Sequence, residues 1–174
     1  MSDALKTMSH GQTILVAEDN DDHVILIKRA FRYANLLNPL HFVCDGAEAI
    51  AYLNGDGKYA NREEYPLPTL LLLDLKMPNK NGFEVMEWIR EQPTLRNLRV
   101  VVLTTSDRVV DVQRAYQLGA SSFLIKPLDL RDFVQLAPTL KASLSGPPAA
   151  PPQGEPQAPD QIPPPADTSQ PPLA

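Results

Sequence analysis

The sequence predicts a single α/β domain built around a doubly wound parallel sheet. Five short apolar runs alternate along the chain with five segments of helical character. The apolar runs are continuous, as expected for strands that helices cover on both faces of a parallel sheet. Right-handed crossovers at this spacing favour the doubly wound arrangement, in which ligands bind beyond the carboxyl ends of the strands.

The first two strand–helix units lie in the first third of the chain. The run TILVA predicts a strand over Thr13–Ala17, and the acidic turn after it offers helix N-caps. Apolar residues at three- and four-residue spacing predict a first helix to about residue 35: Val24, Ile27, Phe31 and Ala34. A second strand over His41–Cys44 precedes a helix with the sequence GAEAIAYL. The polar connection from Asn54 to Pro68 is unusually long, so it is either a functional loop or partly helical.

Three further units complete the domain. Their strands are predicted over Leu70–Leu73, Arg99–Leu103 and Ser122–Ile125. Gly82 opens the third helix and Pro93 closes it, while Asp107 is a candidate N-cap for the fourth. Asp129 starts the last helix, and Pro138 within its pattern should kink that helix or split it in two.

Composition divides the chain into a domain and two ends. A chain of 174 residues with 43% hydrophobic residues suffices for one domain, predicted over 13–144 after a flexible N terminus at 1–12. A disordered tail is predicted over 145–174, because the stretch from Gly146 onward has eleven of the 18 prolines and no Lys, Arg or aromatic residue. We interpret the tail as a spacer, with docking into an aromatic groove as the alternative.

Charge and hydropathy exclude several classes of partner. The net charge of -5 argues against direct binding of nucleic acid. No apolar stretch reaches the length of a membrane span, so a cytoplasmic protein without membrane contact is expected. The lone Cys44 suits a reducing compartment and is expected to be a small buried side chain.

Polar residues follow four of the five predicted strands. Glu18 and Asp19 follow the first, Asp74 ends the third, Thr104 the fourth and Lys126 the fifth. Because the carboxyl ends of parallel strands meet at one edge of the sheet, these side chains are expected to form a single site.

The residue types at this site indicate phosphoryl chemistry with a divalent cation. Three carboxylates within about 5 Å repel one another by roughly 3 kcal/mol per pair at an effective dielectric near 20. An all-oxygen cluster suits Mg²⁺ or Mn²⁺ rather than zinc, and the dispersed His10, His23 and His41 are interpreted as surface or packed side chains. Asp74 could attack phosphorus as a nucleophile. The sequence has no P-loop or kinase signature, so the phosphodonor must be another molecule.

Four blocks of the sequence resemble the receiver domain of two-component response regulators: ILVAEDNDDH, LLLLDLKMPNKNGFEVM, VVVLTTS and GASSFLIKPL. The stretch YLNGDGKYANREEYPLP is similar to stand-alone regulators that pair with phytochrome-type histidine kinases. The resemblance implies a flavodoxin-like sheet of order 2-1-3-4-5 and a sensor histidine kinase as phosphodonor. It also implies a downstream protein target, and it leaves a homodimer open.

The resemblance also implies a role for each site residue. Asp74 matches the phosphoacceptor, and Lys126 matches the family's lysine. Asp19 matches a direct metal ligand, Glu18 a ligand that acts through water, and the Lys76 backbone carbonyl a further ligand. Thr104 matches the switch hydroxyl and Phe123 the switch aromatic residue. Lys76 and Ser106 occupy the two positions that tune phosphoryl lifetime, and Lys126-Pro127 is a candidate cis peptide.

Three functions are compatible with these residues. The favoured one is a single-domain switch that takes a phosphoryl group onto Asp74, loses it slowly and is otherwise not an enzyme. A haloacid-dehalogenase-like phosphatase would need a second aspartate where this chain has Lys76. A degenerate, phosphorylation-independent interaction module would keep Asp74 and Lys126 merely as a buried ion pair, which leaves Glu18 and Asp19 unexplained.

Overall fold

The computed structural model describes residues 12–145, and its centre is a five-stranded parallel sheet. The strands are β1 (Ile14–Ala17), β2 (Leu40–Val43), β3 (Leu70–Leu73), β4 (Arg99–Thr104) and β5 (Ser122–Ile125). Their order is β2-β1-β3-β4-β5, which confirms the predicted flavodoxin-like arrangement. The predicted flexible N terminus and disordered tail fall almost entirely on residues 1–11 and 146–174, outside the described residues.

Six α-helices lie within residues 12–145, four between strands and two after the last strand. They are α1 (Asp21–Tyr33), α2 (Gly46–Asn54), α3 (Gly82–Arg90), α4 (Val109–Gln117), α5 (Leu130–Gln135) and α6 (Ala137–Ser145). Two 3₁₀ turns, Gly57–Ala60 and Pro93–Leu95, lie in the connections. Four helix starts are capped by a side chain that accepts hydrogen bonds from first-turn amides: Asn20, Asp45, Asn81 and Asp129.

The sheet separates two hydrophobic cores. One core packs α2, α3 and α4 against a set of strand side chains that includes Leu15 and Leu71. The other packs α1, α5 and α6 against the alternate set, which includes Ile14 and Leu70. Every residue of β1 and β3 is therefore buried, and this is why those strands show no polar alternation in the sequence.

Two helix predictions are refined or corrected by the structure. The predicted cap Asp107 is wrong, because α4 follows Arg108, whose side chain makes no capping bond. The turn is instead secured by the Ser106 hydroxyl, which donates to the Asp111 carboxylate at 2.5 Å. Pro138 splits the last helix into α5 and α6, since it lacks the N–H that a continuous helix needs there.

Two predictions about single residues are also wrong. Cys44 is exposed rather than buried, because β2 ends one residue earlier than expected, and its thiol donates to Glu48 at 3.2 Å. The Lys126–Pro127 peptide bond is trans, as no cis bond occurs among the described residues. A trans bond is the lower-energy form before proline by about 0.5–1 kcal/mol.

The long connection between α2 and β3 is partly helical and is fastened to α2. The Arg62 guanidinium donates to the carbonyl oxygens of Tyr52 and Leu53 at 2.8 and 2.9 Å, in the last turn of the helix. The Tyr59 and Tyr65 rings pack on Tyr52 with centroid distances of 4.9 and 5.9 Å. None of the helices described over 12–145 is long and apolar enough to cross a membrane.

Candidate functional site

The predicted acids converge at the carboxyl edge of the sheet. Ala17 and Leu73 are register partners at the ends of β1 and β3, so Glu18 and Asp74 leave the sheet side by side. The Asp74 amide donates to the Ala17 carbonyl at 3.1 Å, which fixes the chain at this point. One carboxylate oxygen each from Glu18, Asp19 and Asp74 lies within 4.8 Å of the others. The structure therefore brings the three predicted acids together.

Lys126 joins this cluster from β5. Its Nζ lies 2.6 Å from Asp74 Oδ2 and 2.5 Å from Glu18 Oε2, and its side chain is only 2% exposed. The Lys126 amide donates to the Thr104 carbonyl at 2.8 Å, so the end of β4 positions the lysine. Three acids and one lysine leave two formal negative charges at the site, which matches the charge of one divalent cation.

His23, which the sequence predicts to be a surface or packed residue, belongs to the same cluster. Its Nδ1 lies 3.0 Å from Glu18 Oε1 and 3.2 Å from Lys126 Nζ. The candidate helix cap at Asn20 is the sequence signal for this placement, but a cap alone does not fix the angle at which the first turn of α1 meets the end of β1. The Asn20 amide also donates to Glu18 Oε1 at 3.2 Å.

The oxygen donors of the acidic cluster fit a small divalent cation. One oxygen from each of the three acids lies within 4.8 Å of the others, which is close to the separation of about 4.2 Å or less that oxygens sharing one Mg²⁺ have. Glu18 is the acid least free to bind, because its two oxygens already accept from Lys126, His23 and the Asn20 amide. Asp19 is exposed, and no hydrogen bond to its carboxylate occurs among the described residues. Asp19 and Asp74 are therefore the better direct ligands.

The loop after Asp74 is held close against the site. The Lys76 amide donates to Asp74 Oδ1 at 3.1 Å, while the Lys76 side chain is exposed. A Cβ at Gly82 would overlap the Asp74 carbonyl oxygen, so only glycine allows α3 to start this near the acid. Asn79, with φ 61°, donates to Asp45 Oδ2 at 2.6 Å and ties the loop to the cap of α2.

The remaining predicted site residues, Thr104, Ser106 and Phe123, make no hydrogen bond to the three acids within residues 12–145. Thr104 is fully buried at the end of β4, and within residues 12–145 its hydroxyl bonds neither Asp74 nor Lys126. Ser106 is buried and bonded to Asp111. Phe123 is half-buried, and its backbone amide donates to the Tyr116 hydroxyl at 3.2 Å.

Comparison with known proteins decides the family. The family model of the response regulator receiver domain matches residues 14–137. The chain belongs to this family. The receiver is 38% identical over 131 residues to the probable methanogenesis regulatory protein FilR2 of Methanothrix harundinacea, covering 74% of this chain and 80% of that protein. It is 35% identical over 125 residues to the response regulator Rcp1 of Synechocystis, covering 72% and 83%.

Solved structures of phytochrome response regulators share the receiver's fold. The phosphorylated cyanobacterial phytochrome response regulator RcpA superposes with a TM-score of 0.69 at 34% identity, covering 76% of this chain and 93% of that one. The Mn²⁺-bound form of Rcp1 superposes with a TM-score of 0.68 at 33% identity, covering 77% and 95%. The resemblance to the receiver family and the predicted sheet order are thus confirmed.

Proposed function

We propose that this receiver accepts a phosphoryl group onto Asp74 from the phosphohistidine of a sensor histidine kinase and thereby changes its binding to a downstream protein. The observation that carries the proposal is the convergence of Asp19, Asp74 and Lys126 at one sheet edge. A packing role would not require three acids there, because buried like charges repel one another.

In the proposed transfer, a carboxylate oxygen of Asp74 forms a bond to phosphorus. The bond between phosphorus and the donor imidazole nitrogen breaks, and the imidazole leaves with that electron pair. Lys126, already 2.6 Å from Asp74, stays close enough to pair with a phosphoryl oxygen. The Thr104 hydroxyl would donate a hydrogen bond to another oxygen of the product.

Mg²⁺ or Mn²⁺ is the proposed cofactor. Asp19, Asp74 and the Lys76 backbone carbonyl would hold it directly, and Glu18 would act through water. When bound, the cation offsets the negative charge that gathers on the phosphoryl oxygens. The Mn²⁺-bound structure of the relative Rcp1 and the acidic cluster of this chain support this proposal.

The proposed switch links Thr104 to Phe123. Movement of the buried Thr104 toward the phosphoryl group would open space beside β5, into which the half-buried Phe123 repacks. The surface that changes is that of α4, β5 and α5, where Val109, Ile125 and Leu128 are exposed. Lys76 and Ser106 are proposed to tune the lifetime of the phosphoryl group.

The proposed partners follow from the relatives. A phytochrome-type histidine kinase is the proposed donor, because RcpA is described as a phytochrome response regulator. A downstream protein, or a second copy of this chain, would bind the changed surface. We propose a cytoplasmic location and no nucleic-acid or membrane partner.

The proposal is tested with purified protein, Mg²⁺ and a small-molecule phosphodonor such as acetyl phosphate. We expect an acid-stable, base-labile phosphate on Asp74, seen as a mass gain that Asp74→Asn abolishes. Asp45→Asn is the matched control, since Asp45 is an acid of a neighbouring strand-to-helix turn outside the cluster. No mass gain in the wild-type protein would contradict the proposal.

The degenerate interaction module is distinguished by partner binding. Under the proposal, the phosphodonor changes partner affinity for the wild type and leaves Asp74→Asn unaffected. Equal binding by both proteins, with and without phosphodonor, would instead identify a constitutive module.

A further inference from the structure

The two adjacent acids at the end of β1 differ in how firmly they are held. The Glu18 side chain is 2% exposed, and its Oε2 pairs with Lys126. Its Oε1 accepts from the Asn20 amide at 3.2 Å and lies 3.0 Å from Nδ1 of His23. Asp19 is exposed, and its carboxylate accepts no hydrogen bond among the described residues. Asp19 can therefore turn toward a cation, whereas Glu18 is fixed facing Lys126.

His23 reaches Glu18 from a helix start whose backbone is itself fixed. The Asn20 side chain accepts from the amides of Asp22 and His23 at 2.9 and 3.2 Å, which caps α1. The His23 side chain is 30% exposed, so its contact with the buried Glu18 lies at the edge of the cluster. The proposed phosphoryl transfer assigns His23 no role.

The contact between His23 and Glu18 requires a proton on Nδ1. Without that proton, a nitrogen lone pair would face a carboxylate oxygen at 3.0 Å, and two acceptors repel each other. Lys126 Nζ lies 3.2 Å from the same nitrogen, but it has closer acceptors in the carboxylates of Glu18 and Asp74, at 2.5 and 2.6 Å. Nδ1 therefore donates to Glu18. Both the neutral Nδ1–H tautomer and the imidazolium can do so, and the bond does not depend on the charge of the ring.

We propose that His23 is a positioning residue that keeps Glu18 turned toward Lys126 and thereby restricts Glu18 to a water-mediated contact with the bound cation. This inference rests on the metal site of the proposed function and adds a determinant of cation selectivity to it. Mg²⁺ is small and keeps several of its waters, whereas Ca²⁺ takes more oxygen ligands at longer distances. A Glu18 carboxylate that is held back from the cation therefore favours Mg²⁺ over Ca²⁺.

Loss of the His23 hydrogen bond should change the number of waters on the cation. A six-coordinate Mn²⁺ held by Asp19, Asp74 and the Lys76 carbonyl has about three positions left for water. Once it is released, Glu18 replaces one of these waters and about two remain. The preference for Mg²⁺ over Ca²⁺ should fall about tenfold, at the low end of the changes in affinity caused by altering residues behind the direct ligands.

The test uses the full chain as wild type and as variants of His23. Electron spin-echo modulation of bound Mn²⁺ in ²H₂O counts the waters, and titration calorimetry gives the dissociation constants of Mg²⁺ and Ca²⁺. We expect His23→Leu to lose one water and about tenfold in cation preference. His23→Asn should restore both, because its amide nitrogen takes nearly the position of Nδ1.

Two further variants complete the comparison. His23→Gln places its amide nitrogen near the position of Nε2, so it should behave as His23→Leu does and replaces that variant if it fails to fold. His41→Leu is the matched control, because His41 packs on the rings of Tyr52 and Tyr65 at centroid distances of 5.6 and 6.0 Å and is outside the acidic cluster. It should keep the water count and the cation preference of wild type.

Three results would overturn the inference: a water count that stays at the wild-type value in His23→Leu and His23→Gln, an equal loss of water in His23→Asn, or no binding of Mn²⁺ by wild type. Phosphorylation of the wild-type protein tests the proposed function separately. If Asp74 gained no phosphate while the water counts changed as expected, the phosphoacceptor role would fail and the role of His23 at the metal site would stand.

Discussion

At the scale of single residues, the positive charge of Lys126 reduces the electrostatic repulsion among the clustered acids when no metal is bound. Its ammonium group contacts both Glu18 and Asp74, and all three residues are buried. Removing one member of such a group leaves a buried charge without compensation, which costs about 3–5 kcal/mol. Lys126 and a divalent cation therefore offset the same repulsion.

This shared role predicts how Lys126→Met will behave. In the absence of divalent cations, we expect its free energy of unfolding to fall by about 3–5 kcal/mol relative to wild type, measured by urea denaturation. Added Mg²⁺ should stabilise the variant more than it stabilises wild type, because the cation replaces the missing charge. Lys141→Met, on the exposed face of α6, is the matched control and should lose less than about 0.5 kcal/mol. A Mg²⁺ response no larger than that of wild type would contradict this account.

At the scale of the elements, the strands could be predicted from sequence and several turns could not. The continuous apolar run of Leu70–Leu73 predicts a strand buried on both faces, and burial follows directly from that pattern. The start of α4 could not be predicted in this way. Two neighbouring side chains, the Ser106 hydroxyl and the Asp107 carboxylate, could each form a hydrogen bond to the first turn, and the structure uses Ser106. Which of them forms the hydrogen bond depends on the direction in which β4 delivers the chain.

The same distinction separates the predictable site residues from the one that was missed. Asp74 and Lys126 follow strand ends, and parallel topology alone brings strand ends together. His23 lies in a helix, and its contact with Glu18 depends on how sharply the chain turns at Asn20. That angle is set by side-chain capping and packing of α1, which hydrophobic periodicity does not encode.

The connection between α2 and β3 yields a prediction about pH. Burial raises the pKa of Glu48, but hydrogen bonds from Lys58, Tyr59 and Cys44 outweigh that effect and lower the pKa to about 2. A carboxyl whose pKa is lower in the folded state stabilises the fold above its unfolded pKa and loses that effect as the pH falls. The stabilising effect of Glu48 should therefore be complete above about pH 4.5 and decline toward pH 2.

We expect Glu48→Gln to lower the free energy of unfolding by about 1–2 kcal/mol at pH 7, a value reduced for screening because the Lys58 side chain is 65% exposed. The difference from wild type should shrink as the pH is lowered from 5 to 3 in a series of urea denaturation curves. Glu91→Gln, an exposed surface change, is the control and should show no such trend. A difference that stays constant over this range would mean that the Glu48 hydrogen bonds do not depend on its charge.

At the scale of the whole molecule, the site joins strands that are distant in sequence. Glu18 and Asp19 follow β1, Asp74 follows β3, and Lys126 follows β5. Lys126 contacts two of these acids, Glu18 and Asp74. These groups have their mutual geometry only in the folded chain. A cation that binds them therefore binds the native state and not the unfolded one, so its binding free energy adds to global stability.

Asp19 offers the sharpest test of this coupling, because its exposed side chain contributes a negative charge but no hydrogen bond among the described residues. We expect Asp19→Asn to leave the unfolding temperature in a chelator unchanged or slightly raised, since one repulsive charge is gone. In Mg²⁺ at 100 times its dissociation constant, wild type should gain about 2.7 kcal/mol, equivalent to roughly 5–10 °C in the unfolding temperature. Asp19→Asn should lose most of that gain, as measured by thermal unfolding monitored by circular dichroism.

Asp22→Asn, which changes an exposed acid in the first turn of α1, is the control and should retain the gain. If Mg²⁺ stabilised Asp19→Asn as strongly as wild type, the cation would bind elsewhere, and the acidic cluster would not be the metal site.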